Sequence, residues 1–219
     1  TWLNGPLIPF FELACELTES QAYFVAFAFY IAYFVMAIPS SWVIEKVGYK
    51  NGVSIGLIVI ALGAFMFYPA AETRTFLFFL IALFVMGTGL AILQTAANPY
   101  VVVIGPRESA AARISVLGLA NKFAGFIAPL ALTALVLSNM KDYTADKIAL
   151  LDSAAKAQAL DSLALQLQTP YIYMGIVILI LAVIIRMSPL PEINLDEDGN
   201  VSNQGIFKQM ANALKFPQL

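Results

Sequence analysis

Five long apolar runs constrain this chain more than any motif does: 22–44, 53–69, 76–104, 114–137 and 170–187. Each comes close to the roughly 20 apolar residues that a helix needs to cross a bilayer. Of the 219 residues, 60% are hydrophobic and 12% charged, against about a quarter charged in soluble domains. Mean hydropathy is +0.81. The chain is therefore read as an all-α integral membrane protein, with the lipid bilayer as its first partner.

The connections set the order of the elements. Residues 1–11, TWLNGPLIPFF, are apolar but too short to span, and are read as the last turns of a transmembrane helix whose beginning is missing. Thr18 and Gln21 have the spacing of a capping box, so a helix is expected from about Glu19. The first full span is rich in aromatics, with Pro39 as an expected kink and Trp42 at interface depth. Gly52, Gly56 and Gly63 give the second span the small-residue spacing that lets membrane helices approach closely. Residues 139–169 carry Ala and Leu with spaced Asp, Lys and Gln, the pattern of an amphipathic helix lying against a surface, interfacial or extramembrane and not a span. The domain reading is the end of a first helix at 1–11, five spans within 19–187 with an outer helical connection at 139–169, and a linker at 188–219. A stub plus five spans is an odd count for a stand-alone unit and points to a piece of something larger.

Orientation follows from the bases in the short loops. Lys46, Lys50, Arg107, Arg113 and Arg186 share one side, which should be cytoplasmic, and Arg74 lies opposite. A net charge of -2 with no basic stripe excludes a nucleic-acid partner. The lone Cys15 makes no internal disulfide, and without histidine no soft-metal cluster forms, so neither metal nor cofactor is expected. The spans hold no His, Asp or Glu, which leaves no nucleophile with a base, no paired carboxylates and no metal ligands at membrane depth. An enzyme is not expected.

What remains is a polar stretch, LQTAANPYVVVIGP at 93–106, which puts Gln94, Thr95 and Asn98 where a lipid-facing helix would carry hydrocarbon. Gln94 and Asn98 fall on nearly one helix face, and Pro99 and Pro106 are expected to loosen the backbone just beyond. Two readings stand: interhelical hydrogen-bond glue, or a site facing a wet cavity. Neutral amides that donate and accept suit an uncharged polyol such as a sugar, and do not carry protons. Tyr30 or Tyr33 is a candidate aromatic contact to such a ligand. Lys122 is the one ionisable side chain well inside a span, and either snorkels to a neighbouring helix end or pairs with a carboxylate outside this chain. NGPLIP at 4–9 and NPYVVVIGP at 98–106 form a faint internal repeat, each an Asn with prolines at a helix end. Two three-helix units of that kind are a transporter pattern.

The loop SWVIEKVGYK, 41–50, resembles the helix 2–3 loop of the major facilitator superfamily: Glu45, Lys46, Gly48 and Lys50 match in kind, while Ser41 departs at the leading Gly. FYPAAE at 67–72, LQTAANPYVVVIGP, and RISVLGLANKFAG at 113–125 are similar to the fucose:proton symporter family, and to its glucose/galactose transporter branch in particular. The resemblance implies the N-terminal six-helix half of a major facilitator fold, built of inverted three-helix repeats, with a second six-helix half as partner. It implies a multi-pass protein of the bacterial cytoplasmic (inner) membrane that transports a hexose by alternating access. Asn4, Gln94, Asn98 and Asn121 would hold the sugar with Tyr30 stacked on it, and Glu45, Lys46, Gly48, Lys50, Arg107 and Arg113 would form a conformational charge latch. The family's helix 1 carboxylate falls on Gly5 and its helix 4 glutamate on Gln94, so coupling to sodium is favoured over coupling to a proton. The family's glutamine ahead of Asn121 falls on Gly118, which favours glucose or galactose over fucose. The alternatives are a fucose-type proton symporter, and a non-transporting half that dimerises or serves as a membrane interaction subunit.

Overall fold

The computed structural model describes residues 4–135 and 150–192; the side chains at 4–7, 19, 132, 133 and 135 lie outside the description. In chain order the helices are α1 (Asn4–Ala14), α2 (Glu19–Val47), α3 (Tyr49–Phe65), α4 (Phe67–Thr73), α5 (Phe76–Val103), a short 3-10 turn (Arg107–Ser109), α6 (Ala110–Leu135), α7 (Ser153–Leu165) and α8 (Gln168–Met187). No strand occurs among the described residues. Five helical stretches, Ser20–Val47, Tyr49–Thr73, Phe76–Val103, Arg107–Ala131 and Ser153–Met187, are long and apolar enough to cross a membrane. The expected end of the fourth span at 136–137, the first part of the outer connection at 139–149 and the linker from 193 onward lie outside the described residues.

Local chemistry explains the boundaries. Thr18 Oγ1 accepts from Gln21 N–H at 3.4 Å and Gln21 Oε1 accepts from Thr18 N–H at 3.0 Å. That reciprocal pair satisfies two of the orphan donors at the start of α2, which begins at Glu19. The second span begins at Tyr49, four residues before the hydropathy suggested, because Gly48 at φ +80° turns the chain directly from α2 into α3. That span is split at Met66: Pro69 has no N–H to offer the Phe65 carbonyl, so α3 ends and α4 takes over. Pro39 and Pro99 lie inside α2 and α5 without ending either helix. The loosening expected at Pro99 is thus confined to one missing bond, and α5 ends before Pro106.

Within a bilayer no hydrophobic force draws helices together, since lipid tails are as apolar as leucine; close van der Waals packing has to do it. Here α3 and α5 run antiparallel with backbones in contact. A Cβ on Gly56 would lie 2.7 Å from Leu93 N, one on Gly63 2.8 Å from Met86 N, and one on Gly89 2.6 Å from Ile60 N. Seven residues along α3 match seven residues back along α5. On its other side α5 meets α2, where a Cβ on Gly87 would lie 2.6 Å from the Phe29 carbonyl oxygen. α8 packs on the outer face of α3, giving the lateral order α2, α5, α3, α8. α6 is the exception: its apolar side chains Val116, Leu119, Phe123 and Phe126 are exposed, and it touches mainly α5.

Two buried clusters lie at opposite ends of this slab. At the outer end Phe11, Phe67, Phe79, Leu163 and Tyr171 interlock, with the Phe67 and Tyr171 rings stacked at 3.7 Å and 6°. Leu160, Leu163 and Ala164 form the buried stripe of α7, at helical spacing, and with Leu167 just beyond its end hold it across the ends of α1 and α4. At the inner end Ile44, Tyr49, Val53, Ile92 and Tyr100 form the second cluster.

Ion pairs fasten α7. Lys156 Nζ lies 2.5 Å from Glu16, and Arg74 bridges Asp161 at 3.0 Å and Glu16 at 3.9 Å. Both Glu16 (φ 52°) and Arg74 (φ 47°) adopt the left-handed conformation usual for glycine. Glu16 occupies that position in a Schellman end to α1, with Leu17 N–H donating to the Glu12 carbonyl at 2.9 Å and Glu16 N–H to that of Leu13 at 3.4 Å. Cys15, next to it, is largely enclosed, and burial pushes its thiol up to about 11 against a smaller opposing pull from Arg74.

Two outcomes follow from this packing. Gly56→Leu should lower stability by about 1–3 kcal/mol through overpacking, read as a fall in the thermal midpoint in detergent. Gly118→Ala, whose new methyl would meet nothing within 4 Å, should not lower the midpoint. The hydrogen bond from Lys156 holds the Glu16 carboxyl below its ordinary value of 4.5. Its contribution is therefore full above about pH 4.5 and lost as pH falls through the depressed value. Half exposed, it is worth under about 1 kcal/mol. A pH series of thermal midpoints should show that acid loss in the wild type and a shallower one in Glu16→Gln.

Candidate functional site

The contact of α2 with α5 at Gly87 sets the register of the polar stretch. The two helices run parallel, and a turn further along α2 and two turns along α5 the Tyr33 hydroxyl donates a short hydrogen bond to Gln94 Oε1. Both residues are half-buried. The bond fixes the Gln94 amide while leaving its two N–H donors for another acceptor. Next to it Thr95 turns inward on its own helix, Oγ1 donating to the Ala91 carbonyl at 2.8 Å. Asn98, one turn beyond Gln94, is exposed.

Of the two tyrosines it is Tyr33 that meets Gln94. Tyr30 is 55% exposed, with its ring edge-on to Phe29 at 5.7 Å. Asn121 and Lys122 lie exposed on α6, and no hydrogen bond among the described residues joins Asn121 to Gln94 or Asn98. Asn4 begins α1, and its side chain is outside the description. The structure thus brings Gln94 and Tyr33 together, with Asn98 on the same helix, and leaves Tyr30 and Asn121 apart from that pair. Among the described residues no group of three acidic, cysteine or histidine side chains is placed to hold a metal ion.

The loop charges fall into separate arrangements at the inner end. Arg113 wraps the C-terminus of α5: Nε donates to the Val101 carbonyl at 2.8 Å, one terminal nitrogen to that of Val102 at 2.7 Å, and the other to Pro106 at 3.1 Å and Ser109 Oγ at 2.6 Å. A guanidinium supplies both the charge and the fork that orphan carbonyls at a helix end accept. Lys50 holds the segment after α8, Nζ donating to the Ser188 carbonyl at 2.7 Å and its backbone N–H to Glu192 Oε1 at 3.1 Å. The Glu192 carboxylate occupies the space a side chain on Gly48 would need, 2.0 Å from such a Cβ. Tyr100 completes the attachment by donating to the Pro191 carbonyl at 2.8 Å. Glu45, Lys46 and Arg107 are exposed, and the salt bridges among the described residues all lie at the outer end. Glu192 was not singled out from the sequence; its partners are more than 90 residues away, and nothing local marks it.

Several long helices packed through small residues, with a polar pair at mid-depth and bases gathered at one end, define a multi-pass membrane protein. The match to the Major Facilitator Superfamily runs over residues 1–212, and the chain belongs to that superfamily. It is 36% identical over 205 residues to the L-fucose-proton symporter of Escherichia coli (strain K12), covering 94% of this chain and 47% of that protein. It is 34% identical over 197 residues to the glucose/galactose transporter of Brucella abortus biovar 1 (strain 9-941), covering 90% and 44%. The crystal structure of the major facilitator transporter FucP in the outward conformation has the same fold, with a TM-score of 0.83 at 35% identity over 98% of this chain and 51% of that one. The chain therefore spans about half the length of the relatives it matches and corresponds to their N-terminal half.

The Arg113 wrap yields a direct expectation. Arg113→Gln should cost about 1–3 kcal/mol, since it strands α5 carbonyls that had a charged donor. Arg113→Lys should recover little of it, because an ammonium cannot fork. Thermal midpoints in detergent check both.

Proposed function

We propose that this chain is the N-terminal half of a hexose transporter of the glucose/galactose type, in which the sugar binds between this half and a second six-helix half. Access to the site alternates between the two sides of the membrane as the halves rock. The observation that carries the reading is the Tyr33–Gln94 pair: a neutral amide, oriented by a tyrosine, in the stretch that resembles the family's sugar-contacting helix. A sugar hydroxyl has acceptor lone pairs for the amide N–H groups that Tyr33 leaves unused. Asn98 on the same helix, and Asn4, Asn121 and Tyr30 by resemblance, are proposed as further contacts that assemble around bound sugar.

Coupling is proposed to be to sodium. The support is chemical: Gln94 does not titrate, and Gly5 offers no side chain, so neither position can exchange a proton. The Escherichia coli relative is named a proton symporter, which makes the proton the alternative that the assay must test. Gly48 and Lys50, with the Glu192 carboxylate over them, are proposed to belong to the device that holds one state, alongside Glu45, Lys46, Arg107 and Arg113.

The test is labelled glucose uptake by the full-length protein in proteoliposomes under a sodium gradient, a proton gradient or neither. Sodium-driven accumulation is expected. Gln94→Ala should weaken apparent affinity by roughly 5–150-fold through one lost contact with its half-buried partner left unpaired, and Tyr33→Phe by about tenfold or less. Accumulation driven by protons alone would overturn the sodium assignment, and no hexose uptake under any gradient would overturn the substrate.

A further inference from the structure

At the inner end the last turn of α2, α3 and α8 line a recess of about 520 Å³ that does not include Tyr33 or Gln94. That is within the roughly 300–1,000 Å³ usual for small-ligand sites. Its lining is graded along the membrane normal. Lys46, in the last turn of α2, and Arg186, in the last turn of α8, stand at its mouth. Asn51 and Ser54 form a polar floor, and Ile58 and Val183 continue it towards the middle of the bilayer. None of the lining residues is acidic. Ile58 is 40% and Val183 51% exposed, so the deep end opens sideways where lipid lies rather than into the bundle.

We propose that this recess binds an anionic glycerophospholipid, with its phosphate between Lys46 and Arg186 and an acyl chain along Ile58 and Val183. The simpler account, that both bases only complement helix C-termini on the cytoplasmic side, explains their charge but not the recess between them. In the floor Ser54 Oγ donates to the Lys50 carbonyl at 3.3 Å and Asn51 Nδ2 to that of Val47 at 2.8 Å, while Asn51 Oδ1 is buried with no hydrogen-bond partner among the described residues. Two bases, no acid, and a polar-to-apolar gradient open to the bilayer match one ligand chemistry, a monoanionic phosphodiester on a hydrocarbon tail. Water-soluble anions lack the tail, and zwitterionic lipids set a cation against the two bases. The inference does not depend on which sugar is carried.

The test is native mass spectrometry of the delipidated full-length protein in detergent, with dioleoylphosphatidylglycerol and dioleoylphosphatidylcholine in competition. The wild type is expected to retain phosphatidylglycerol preferentially. Lys46→Gln with Arg186→Gln should weaken its binding about thirtyfold, and Lys46→Arg with Arg186→Lys should keep the preference. Equal retention of the two lipids by the wild type overturns the proposal whether or not the neutral variant folds. Undiminished preference in the neutral variant also overturns it. Displacement of phosphatidylglycerol by inorganic phosphate at about ten times the lipid concentration would reassign the recess to a free anion and overturn the lipid assignment.

Discussion

The arrangement depends on one contact, the backbone-to-backbone approach of α3 and α5. Helices in lipid gain nothing by hiding leucines from water, so the gain has to come from atoms brought closer than side chains normally permit. Gly56, Gly63 and Gly89 supply that approach, and the seven-residue spacing of Gly56 and Gly63, matched by that of Leu93 and Met86, means a single register satisfies all three. Once α3 and α5 are locked, Gly87 seats α2 against the other side of α5, and the depth of every polar residue on both helices is set. The Tyr33–Gln94 bond is a consequence of that register.

This hierarchy explains what was legible in the sequence. The capping box at Thr18 and Gln21, and the glycines of the second span, act through neighbours or through a single face, so spacing alone reveals them. The distinction between Tyr30 and Tyr33 was not legible, because the two lie a turn apart on one helix and only the depth of α5 beside them decides which reaches Gln94. Glycine usually ends a helix as α1 ends; Glu16 does so here because Lys156, 140 residues away, and Arg74 hold its side chain. Glu192 and Arg113 were opaque for a related reason. Charge patterns mark bases in loops but do not say whether a given base will meet a carboxylate or a row of carbonyls.

The two ends of the slab use charge differently. The outer end pairs acids with bases around α7, an arrangement that acid and salt weaken. The inner end spends its bases on backbone carbonyls through Arg113 and Lys50, bonds in which the acceptor carries no titratable group. Only the Glu192 carboxylate, accepting the Lys50 N–H, interrupts that pattern.

The strip from Ser188 to Glu192 has a mechanical meaning. It is bonded to Lys50 at the start of α3, lies against Gly48 at the end of α2, accepts from Tyr100 near the end of α5, and continues directly from α8. Four helix ends are thereby bolted to one crossbar, so none can slide or tilt without carrying the other three. α6, attached through Arg113 at its first turns, stands outside the bolted set. At their inner ends α2, α3, α5 and α8 are therefore tied as one plate, to which α6 is joined separately through the bonds of Arg113.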